Sequence, residues 1–206
     1  MGFYSDVLFP GAYDFLIGLI KLDDERRESL RQVRGCILEI GIGTGLNLPL
    51  YPEEIQRICA IDPSPGMLKK LARKLPKCRV QVEAQCAGAE NLPYPDDSFD
   101  TVVSTLVLCS VPDRVGSLAE VRRVLRPDGR FVFLEHGLSP DEKVAKWQRR
   151  LNCIQRRFAV GCLLDVPVRS DLESAGFRFE HLKESYLEKG PKTHTYFYEG
   201  IATPLP

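Results

Sequence analysis

The sequence has few of the residues that build metal sites, and it lacks long apolar runs. Only three histidines occur among the 206 residues, and no two cysteines stand in a CxxC pair. Structural zinc sites commonly use such short-range pairs, so the sequence predicts no metal site. The apolar run near the N-terminus covers only residues 15–20, and no basic leader precedes it. We therefore expect neither a signal peptide nor an integral membrane segment.

A net charge of either sign is also lacking. Lys plus Arg and Asp plus Glu both number 28. Without a long-range positive field, nucleic acid is not an expected partner. The seven cysteines are odd in number, and several lie within apolar runs. That pattern is typical of free thiols in a reducing compartment, and it predicts a cytoplasmic location.

The composition that remains is that of a globular protein. Apolar residues make up 44% of the chain and charged residues 27%. A chain of 206 residues is long enough to bury most of its apolar surface in one domain, and it is short for two. The sequence therefore predicts a single domain over residues 1–206.

Strand and helix signals alternate from about residue 36 onward. This alternation is typical of an α/β fold, in which a parallel sheet carries helices on both faces. A helix is expected over 117–125, and Pro127, Asp128 and Gly129 then predict a turn into the next strand. The strand-like runs lie at 36–41, 57–62, 79–85, 99–108 and 130–136.

The C-terminal third predicts an amphipathic helix over 141–158 and a closing antiparallel hairpin with strands over 177–187 and 193–202. Apolar residues recur along the helix at steps of three and four, which predicts a stripe that faces the core. The surrounding basic residues favour a solvated face, although a basic amphipathic helix can also lie on an anionic membrane or bind an acidic substrate. The stripe consists of Val144, Trp147, Leu151, Ile154 and Phe158, and the basic residues are Lys143, Lys146, Arg149, Arg150, Arg156 and Arg157.

A glycine-rich loop follows the first predicted strand. Gly41, Gly43 and Gly45 alternate there, and side chains at these positions would keep a ligand away from the backbone. A dinucleotide fingerprint, GxGxxG, needs a third glycine where this chain has Leu46. Glu39, just before the loop, is unfavourable beside a pyrophosphate but suits a cationic ligand or an ammonium group. The loop therefore points away from NAD.

Asp62 stands at the end of the second predicted strand. Because the carboxyl ends of parallel strands meet at one edge of a sheet, this carboxylate is expected near the glycine loop, where a ribose diol is its natural partner. Alternating glycines alone can mark any tight turn, and an acid after a strand can simply cap the next helix. Together, in this order, they predict a nucleoside-type ligand.

With these motifs the sequence resembles the class I S-adenosylmethionine (SAM)-dependent methyltransferases. The resemblance covers about residues 33–137 and rests on ILEIGIGTG, AIDPS, AENLPYPDDSFD and EVRRVLRPDG. It implies a doubly wound, Rossmann-like mixed sheet of seven strands with a reversed last hairpin, and methyl transfer from SAM to a small molecule. The runs TLVLCSV and LEH and the neighbourhood of Trp147 are most similar to the small alkyl thiol methyltransferase-type proteins.

The resemblance also assigns contacts to the cofactor. The methionine part of SAM is expected on the glycine loop and the ribose on Asp62. The adenine is expected along Pro63, Ser64 and Met67, with Ala89 at its border. The residues carried over as cofactor-binding are Glu39, Gly41, Ile42, Gly43, Thr44, Gly45, Asn47, Asp62, Pro63, Ser64, Met67, Ala89, Glu90, Thr105, Leu106 and Val107.

Catalysis of methyl transfer from a sulfonium can rest on alignment and the exclusion of water, without an indispensable acid or base. If a base is used, His136 is the candidate, because it ends a strand at the ligand edge and an imidazole can deprotonate a thiol or amine near neutral pH. His136 can equally serve only to hydrogen-bond the loop. Cys109 is expected to be a lining residue or a core thiol rather than a nucleophile.

Three parts of the domain follow from this interpretation. Residues 1–34 are expected to form an N-terminal helical cap, 35–137 the cofactor-binding core, and 138–206 the substrate-side helix and hairpin. The acceptor is expected to be a thiol, an amine or a lipid-like molecule, with a quinone or phospholipid as the alternative. Two other classes stay open: a non-catalytic SAM-binding protein and, less favoured because of Leu46 and Glu39, an NAD-dependent oxidoreductase.

Overall fold

The strands form one sheet of seven, in a computed structural model that describes residues 22–205. They are β1 Ile37–Ile40, β2 Arg57–Ile61, β3 Gln81–Gln85, β4 Phe99–Thr105, β5 Leu125–His136, β6 Phe177–Tyr186 and β7 Tyr196–Pro204. The helices are α1 Asp23–Leu30, α2 Pro65–Lys74, α3 Arg114–Val124, α4 Glu142–Phe158 and α5 Val168–Ser174. Short 3-10 helices cover Leu48–Leu50 and Leu75–Lys77. The predicted α/β fold with a seven-stranded mixed sheet is confirmed.

The strand order determines where a ligand can bind. The order is β3-β2-β1-β4-β5-β7-β6, with β1 to β5 parallel and β7 antiparallel to both of its neighbours. The chain winds outward from β1 to β3 and then returns to the other side of β1 with β4. Ligands of open α/β sheets bind beyond the carboxyl ends of the strands at such a switch point. The loops after β1 and β4 meet there.

The central strands are apolar on both faces because helices cover both sides of the sheet. On β4, Val102 belongs to the core beneath α3 and α5, whereas its neighbour Val103 belongs to the core beneath α1 and α2. On β5, Phe131 and Phe133 face the first core and Val132 faces the second. Each of these side chains is at most 1% exposed. Burial of one such side chain contributes about 1.5 to 3 kcal/mol.

Side-chain caps fix where the helices near the ligand edge begin. The Ser64 hydroxyl accepts a hydrogen bond from the Met67 amide at the start of α2, and Asp113 accepts one from the Gly116 amide at the start of α3. Asp141 caps α4 in the same way. A cap of this kind contributes about 1 kcal/mol. The cap on α2 also holds the segment after β2, in which the predicted cofactor residues lie.

The predicted closing hairpin is confirmed. Strands β6 and β7 pair antiparallel, and β7 also pairs with β5, so that His136 lies opposite Phe197. The hairpin therefore brings β7 against β5, the strand that ends at the candidate base His136.

The segment Pro127, Asp128 and Gly129 is not a separate turn before the strand, as the sequence predicted. It lies inside β5, where Leu125 pairs with Phe99 and Arg130 pairs with Thr101. The residues between these two pairs have no matching number of partners on β4, so they form a bulge. A Cβ on Gly129 would lie 2.9 Å from the Arg126 carbonyl oxygen, which shows how sharply the chain bends there. The preceding helix also begins earlier than predicted, at Arg114.

Most of the apolar stripe of α4 does not face the core, contrary to the prediction: three of its five residues are exposed, and Val144 and Leu151 are half-buried. Trp147, Ile154 and Phe158 are 55%, 56% and 63% exposed. The buried residues of the helix are Ala145 and Gln148.

Polar contacts explain how α4 is oriented. The Gln148 amide donates to the Gly137 and Thr193 carbonyls, and its oxygen accepts a bond from the Ser139 amide. One turn later, the Asn152 side chain bonds Asp165 and the Leu164 amide. These side chains are one helical turn apart, so they lie on one face and turn the apolar stripe outward.

The N-terminal cap predicted over residues 1–34 lies mostly outside the described residues, which begin at Leu22. Within the described part, α1 contacts β5 and β7. In residues 22–205, none of the helices combines the length and apolarity that a membrane crossing requires.

Candidate active site

The glycine loop leaves β1 in a conformation that ordinary residues avoid. Gly41, Gly43 and Gly45 have φ values of +61°, +58° and +81°. A Cβ on Gly41 would lie 2.5 Å from a methyl of Val107, in the loop after β4. A Cβ on Gly43 would meet nothing nearer than 4.0 Å. The backbone at Gly43 is therefore open to a ligand, whereas Gly41 lets the two loops pack together.

Glu39, the acid before the loop, is a buried hydrogen-bond acceptor. Its two oxygens accept bonds from the Asn47 amide at 2.9 Å and from the Tyr51 hydroxyl at 2.8 Å. Burial raises the pKa of Glu39 from 4.5 to about 7, although the bonds from Tyr51 and Asn47 and the charge of Arg26 oppose the rise. A cationic ligand group next to this carboxyl would favour its ionised form.

A partly open cleft lies between the glycine loop, α1 and the end of β4. It brings together side chains that are far apart in the sequence, and one of them, Arg26, is 3% exposed. The lining residues are Arg26, Glu39, Gly41, Ile42, Gly43, Thr44, Leu46, Asn47 and Thr105.

Two polar atoms of the cleft residues fit the amino-acid part of SAM. Arg26 Nε and Asn47 Oδ1 are buried and have no hydrogen-bond partner among the described residues. An unpaired buried donor or acceptor costs about 1 to 3 kcal/mol, so a bound ligand that satisfies both is favoured. The donor at Arg26 suits a carboxylate, and the acceptor at Asn47, together with the Glu39 carboxyl, suits an ammonium group.

Asp62 supports the glycine loop from the end of β2. Its carboxylate accepts bonds from the Gly43 amide at 2.9 Å and from the Ser64 amide at 2.8 Å. Burial raises its pKa, and the two amide bonds oppose the rise. A carboxylate offers about four acceptor sites, so lone pairs remain for ribose hydroxyls. Asp62 does not belong to the residues that line the described cleft.

The segments expected along the adenine lie next to this edge. Met67 and Ala89 are 7% and 6% exposed, whereas Pro63 is exposed and Glu90 is half-buried. Ser64 is engaged as the cap of α2. The structure therefore gives Ser64 a helix-capping contact, and the adenine contacts stay predictions.

The loop after β4 is held by a buried acid that the sequence analysis did not single out. The Glu135 carboxylate accepts bonds from the Ser104 hydroxyl at 2.6 Å and from the Val107 and Leu108 amides at 3.0 and 3.2 Å. Burial raises the pKa of Glu135 to about 7 despite these bonds. Leu106 has a φ of +58°, a conformation that costs a non-glycine residue about 1 kcal/mol or more. Glu135 therefore holds a strained loop at the cleft.

Cys109 lies in a turn after β4, because this strand ends earlier than the predicted run over 99–108. The left-handed conformation of Leu106 ends β4 at Thr105, and the Ser110 amide then closes a turn on the Val107 carbonyl. The Cys109 thiol is buried in this turn. Cys109 is therefore a core thiol, which is one of the two roles that the sequence predicted for it.

His136 meets two cysteines at the end of β5. Its Nε2 lies 3.2 Å from Cys162 Sγ, and the ligand atoms of Cys109, His136 and Cys162 all lie within 4.8 Å of one another. Burial lowers the pKa of His136, but the hydrogen bond and charge of Cys162 and the charge of Glu135 outweigh it and raise the pKa. The hydrogen bond with Cys109 lowers the pKa of Cys162, burial opposes this, and His136 lowers it further.

The structure groups the predicted residues unevenly. Most of the predicted positions in the glycine loop line the cleft, and Asp62 contacts this loop from the end of β2. His136 does not line the cleft and lies beside Cys109 and Cys162. Thr105 accepts a bond from Asn47, and Leu106 and Val107 are half-buried beside it. The analysis of the sequence missed Arg26, Tyr51 and Glu135. No local motif marks them, because their roles depend on contacts between separate elements.

Comparison with known proteins agrees with this geometry. The family described as methyltransferase domain matches residues 38–133. The chain is 36% identical over 183 residues to the human thiol S-methyltransferase TMT1B, covering 83% of this chain and 72% of that protein. It is 30% identical over 199 residues to the ubiquinone/menaquinone biosynthesis C-methyltransferase UbiE of Geobacter sulfurreducens, covering 90% and 72%.

A solved structure supports the fold independently. A SAM-dependent methyltransferase of Thermotoga maritima, titled a possible histamine N-methyltransferase, superposes with a TM-score of 0.70 at 20% identity, covering 97% of this chain and 99% of that chain. The glycine loop, the buried acids and the unpaired atoms of the cleft fit the same cofactor. The chain therefore belongs to the class I SAM-dependent methyltransferases, close to the thiol S-methyltransferases, and it transfers a methyl group from SAM to a small-molecule acceptor.

Proposed function

We propose that the acceptor is a small thiol, which becomes a methyl thioether. The observation that carries this proposal is the similarity to the human thiol S-methyltransferase, which extends over most of both chains. A small acceptor also agrees with the fold of residues 22–205, which form one sheet with its flanking helices.

The residues of the cleft divide the work of holding the cofactor. Arg26 would pair with the carboxylate of SAM, and Glu39 and Asn47 would receive its ammonium group. Asp62 would receive the ribose hydroxyls while it holds the Gly43 amide. When bound, SAM supplies a methyl group on a sulfonium centre, whose leaving group is neutral.

The chain contributes alignment more than acid or base chemistry in this proposal. Glu135 holds the loop of Leu106 and Val107, and Val107 packs against Gly41. That contact fixes the glycine loop against the loop after β4. Precise placement of two reactants can supply about 7 to 11 kcal/mol of a barrier. The Nε2 of His136 lies 3.2 Å from Cys162 Sγ, so this nitrogen would have to leave Cys162 before it could act as a base.

The three parts of the domain keep their proposed roles. Residues 35–137 would hold the cofactor, 138–206 would line the acceptor side, and 1–34 would cap the cleft. Arg26 supports the last assignment, because it reaches the cleft lining from α1. The β5–β7 pairing supports the second, because it brings Phe197 opposite His136 at the ligand edge.

We also propose peripheral contact of α4 with an anionic membrane surface and a location in a reducing compartment such as the cytoplasm. The exposed Trp147 and Ile154 on α4 and the exposed lysines and arginines around them support the first. The free state of all seven cysteines supports the second. A hydrophobic thiol or lipid-like acceptor would be concentrated at such a surface.

The acceptor proposal is tested by a panel assay with equal concentrations of small thiols, amines, a quinol and phosphatidylethanolamine. Mass spectrometry would record methylated product and S-adenosylhomocysteine together. A methyl thioether formed at a higher kcat/KM than any other product supports the proposal. A preference for quinol or phospholipid would replace the thiol by that alternative, and SAM binding without any product would indicate a SAM-binding protein without catalysis.

A further inference from the structure

We propose that Cys109, His136 and Cys162 form a binding site for a thiophilic divalent metal ion, with zinc as the preferred ion. The three residues come from separate parts of the fold: the turn after β4, the end of β5 and the segment between α4 and α5. All three are buried, and their ligand atoms lie within 4.8 Å of one another. The sequence predicted no metal site because it lacks short-range cysteine pairs, but folding assembles this group across long separations.

The spacing of the three atoms suits a tetrahedral ion. Zinc binds sulfur at about 2.3 Å and imidazole nitrogen at about 2.0 Å, which places neighbouring ligand atoms about 3.4 to 3.8 Å apart. His136 Nε2 and Cys162 Sγ are 3.2 Å apart, and the other pairs lie within 4.8 Å. Side-chain movements of about 1 Å or less bring all three to that spacing.

The donor set also matches the ion in charge and softness. Two thiolates and a neutral imidazole balance the charge of Zn²⁺, so the loaded site carries no net charge into the core. Sulfur and nitrogen donors disfavour magnesium and calcium, which prefer oxygen. The nearby Glu135 carboxylate is engaged with Ser104 and with the amides of Val107 and Leu108. Three protein ligands thus remain, and they leave one coordination position for water or another small ligand, as in open zinc sites.

Hydrogen bonds within the protein hold the three candidate ligands close together without a metal ion. The Leu163 amide donates to the Cys109 carbonyl at 2.8 Å, which ties the segment of Cys162 to the turn of Cys109. The side-chain amide of Gln155 donates to Cys162 Sγ at 3.7 Å. A preformed site loses less conformational entropy on binding than ligands in a loose chain would.

An ion at this position would reinforce the cofactor edge. It would join the turn after β4 to the end of β5, and the same turn packs on the glycine loop through Val107 and Gly41. The proposal concerns the side chains of this chain alone, so it stands whether the acceptor is a thiol or another molecule.

The test begins with the whole chain, purified with a phosphine reductant, freed of metal by a chelator and titrated with zinc against a chromophoric competitor. We expect tight, equimolar binding and a higher Tm with zinc. Replacement of zinc by Co²⁺ should give thiolate-to-cobalt charge-transfer absorption in the near ultraviolet. Absence of tight binding, or a cobalt spectrum without that absorption, would overturn the proposal without any mutation.

Variants locate the site. Cys109→Ser, Cys162→Ser and His136→Asn should each weaken zinc binding by about 100-fold or more, since a single ligand or its support is worth at least tenfold to 100-fold. The matched control removes three exposed thiols, Cys36→Ser, Cys86→Ser and Cys153→Ser, and should bind zinc like the parent chain. Zinc affinity that follows the exposed cysteines would contradict the proposal, as would His136→Asn with unchanged affinity.

Discussion

At the scale of single residues, Glu39 lowers the stability of the folded protein near neutral pH, and we propose that it also receives the ammonium group of SAM. Its carboxyl is 2% exposed, and burial raises its pKa from 4.5 to about 7. A folded-state pKa above the unfolded value means that the stability from this group is fully present below pH 4.5 and is lost as the pH rises through about 7. A shift of this size corresponds to about 3 kcal/mol at higher pH. Residues that lower stability are common at functional sites.

Glu39→Gln is therefore expected to separate stability from binding. The amide can accept from Asn47 and donate to the Tyr51 oxygen, so the packing is retained. Denaturant unfolding at pH 5 and pH 8 should show that the variant loses less stability than the parent between the two values, by about 2 to 3 kcal/mol. Calorimetry should show weaker SAM binding, because a neutral amide attracts an ammonium group less. The same pH dependence in both proteins would refute the assigned pKa.

Arg26 is the residue for which the structure adds most to the sequence. Its Nε is buried at the cleft without a partner among the described residues. Arg26→Met should weaken SAM binding by about tenfold to 100-fold, the loss expected for a hydrogen bond to a charged group. Binding of methylthioadenosine, which has no carboxylate, should change little. The control is Arg27→Met, an exposed neighbour on α1. Equal losses for both ligands would show that Arg26 acts only on the fold.

Asp62→Ala tests the ribose contact. The variant should stay folded and lose about 1 to 3 kcal/mol of SAM binding, because both the hydroxyl contacts and the support of Gly43 disappear. Asp113→Ala is the matched control, since it also removes a carboxylate that accepts a backbone amide, but at α3. The control should lose stability without loss of affinity. An unchanged SAM affinity in folded Asp62→Ala would contradict the assignment.

The residues that the sequence could predict are those next to each other along the chain. A glycine loop after one parallel strand and an acid after the next meet at the same edge of the sheet, whatever the rest of the fold is. Residues 39–47 and Asp62 could therefore be predicted from the sequence. Arg26 and Glu135 were not, because their partners are brought near by strand order and helix docking. The convergence of Cys109, His136 and Cys162 depends on the same long-range pairing.

At the scale of elements, periodicity predicted the helices better than their orientation. Helix α4 has the predicted length, but its docked face carries Gln148 and Asn152, whose bonds to backbone atoms outside the helix decide which face is buried. Hydropathy does not encode such bonds. The bulge in β5 has the same origin, because it reflects the register with β4 and not the local turn signal.

The outward stripe of α4 makes a testable prediction. Vesicles that contain phosphatidylserine should sediment the protein at low salt, since each basic residue near an anionic surface contributes about 1 kcal/mol. Trp147→Glu with Ile154→Glu should abolish most of this binding. Val115→Glu changes an apolar side chain on α3 that is 74% exposed, and it should have no effect. A parent chain that stays in the supernatant at every salt concentration would refute the membrane contact.

At the scale of the whole molecule, the strand order explains why the residues of the cleft meet and why Cys109, His136 and Cys162 meet at the end of β5. The reversal between β1 and β4 opens the edge where the cofactor loop lies, and the β5–β7 pairing encloses the neighbouring end of β5. The α/β class followed from the alternation of strand and helix signals, and the closing hairpin followed from the two strand-like runs near the C-terminus. The division into cap, core and acceptor side remains a prediction.

The central claim is that the cleft of Glu39, Asn47 and Arg26 binds SAM, and one calorimetric series tests it most directly. The purified chain would be titrated with SAM, S-adenosylhomocysteine and NADH under the same conditions, with Arg26→Met as the companion protein. We predict that the first two bind the parent chain, that both bind the variant more weakly, and that NADH binds neither. Binding of NADH alone, or SAM affinity unchanged in the folded variant, would contradict the account.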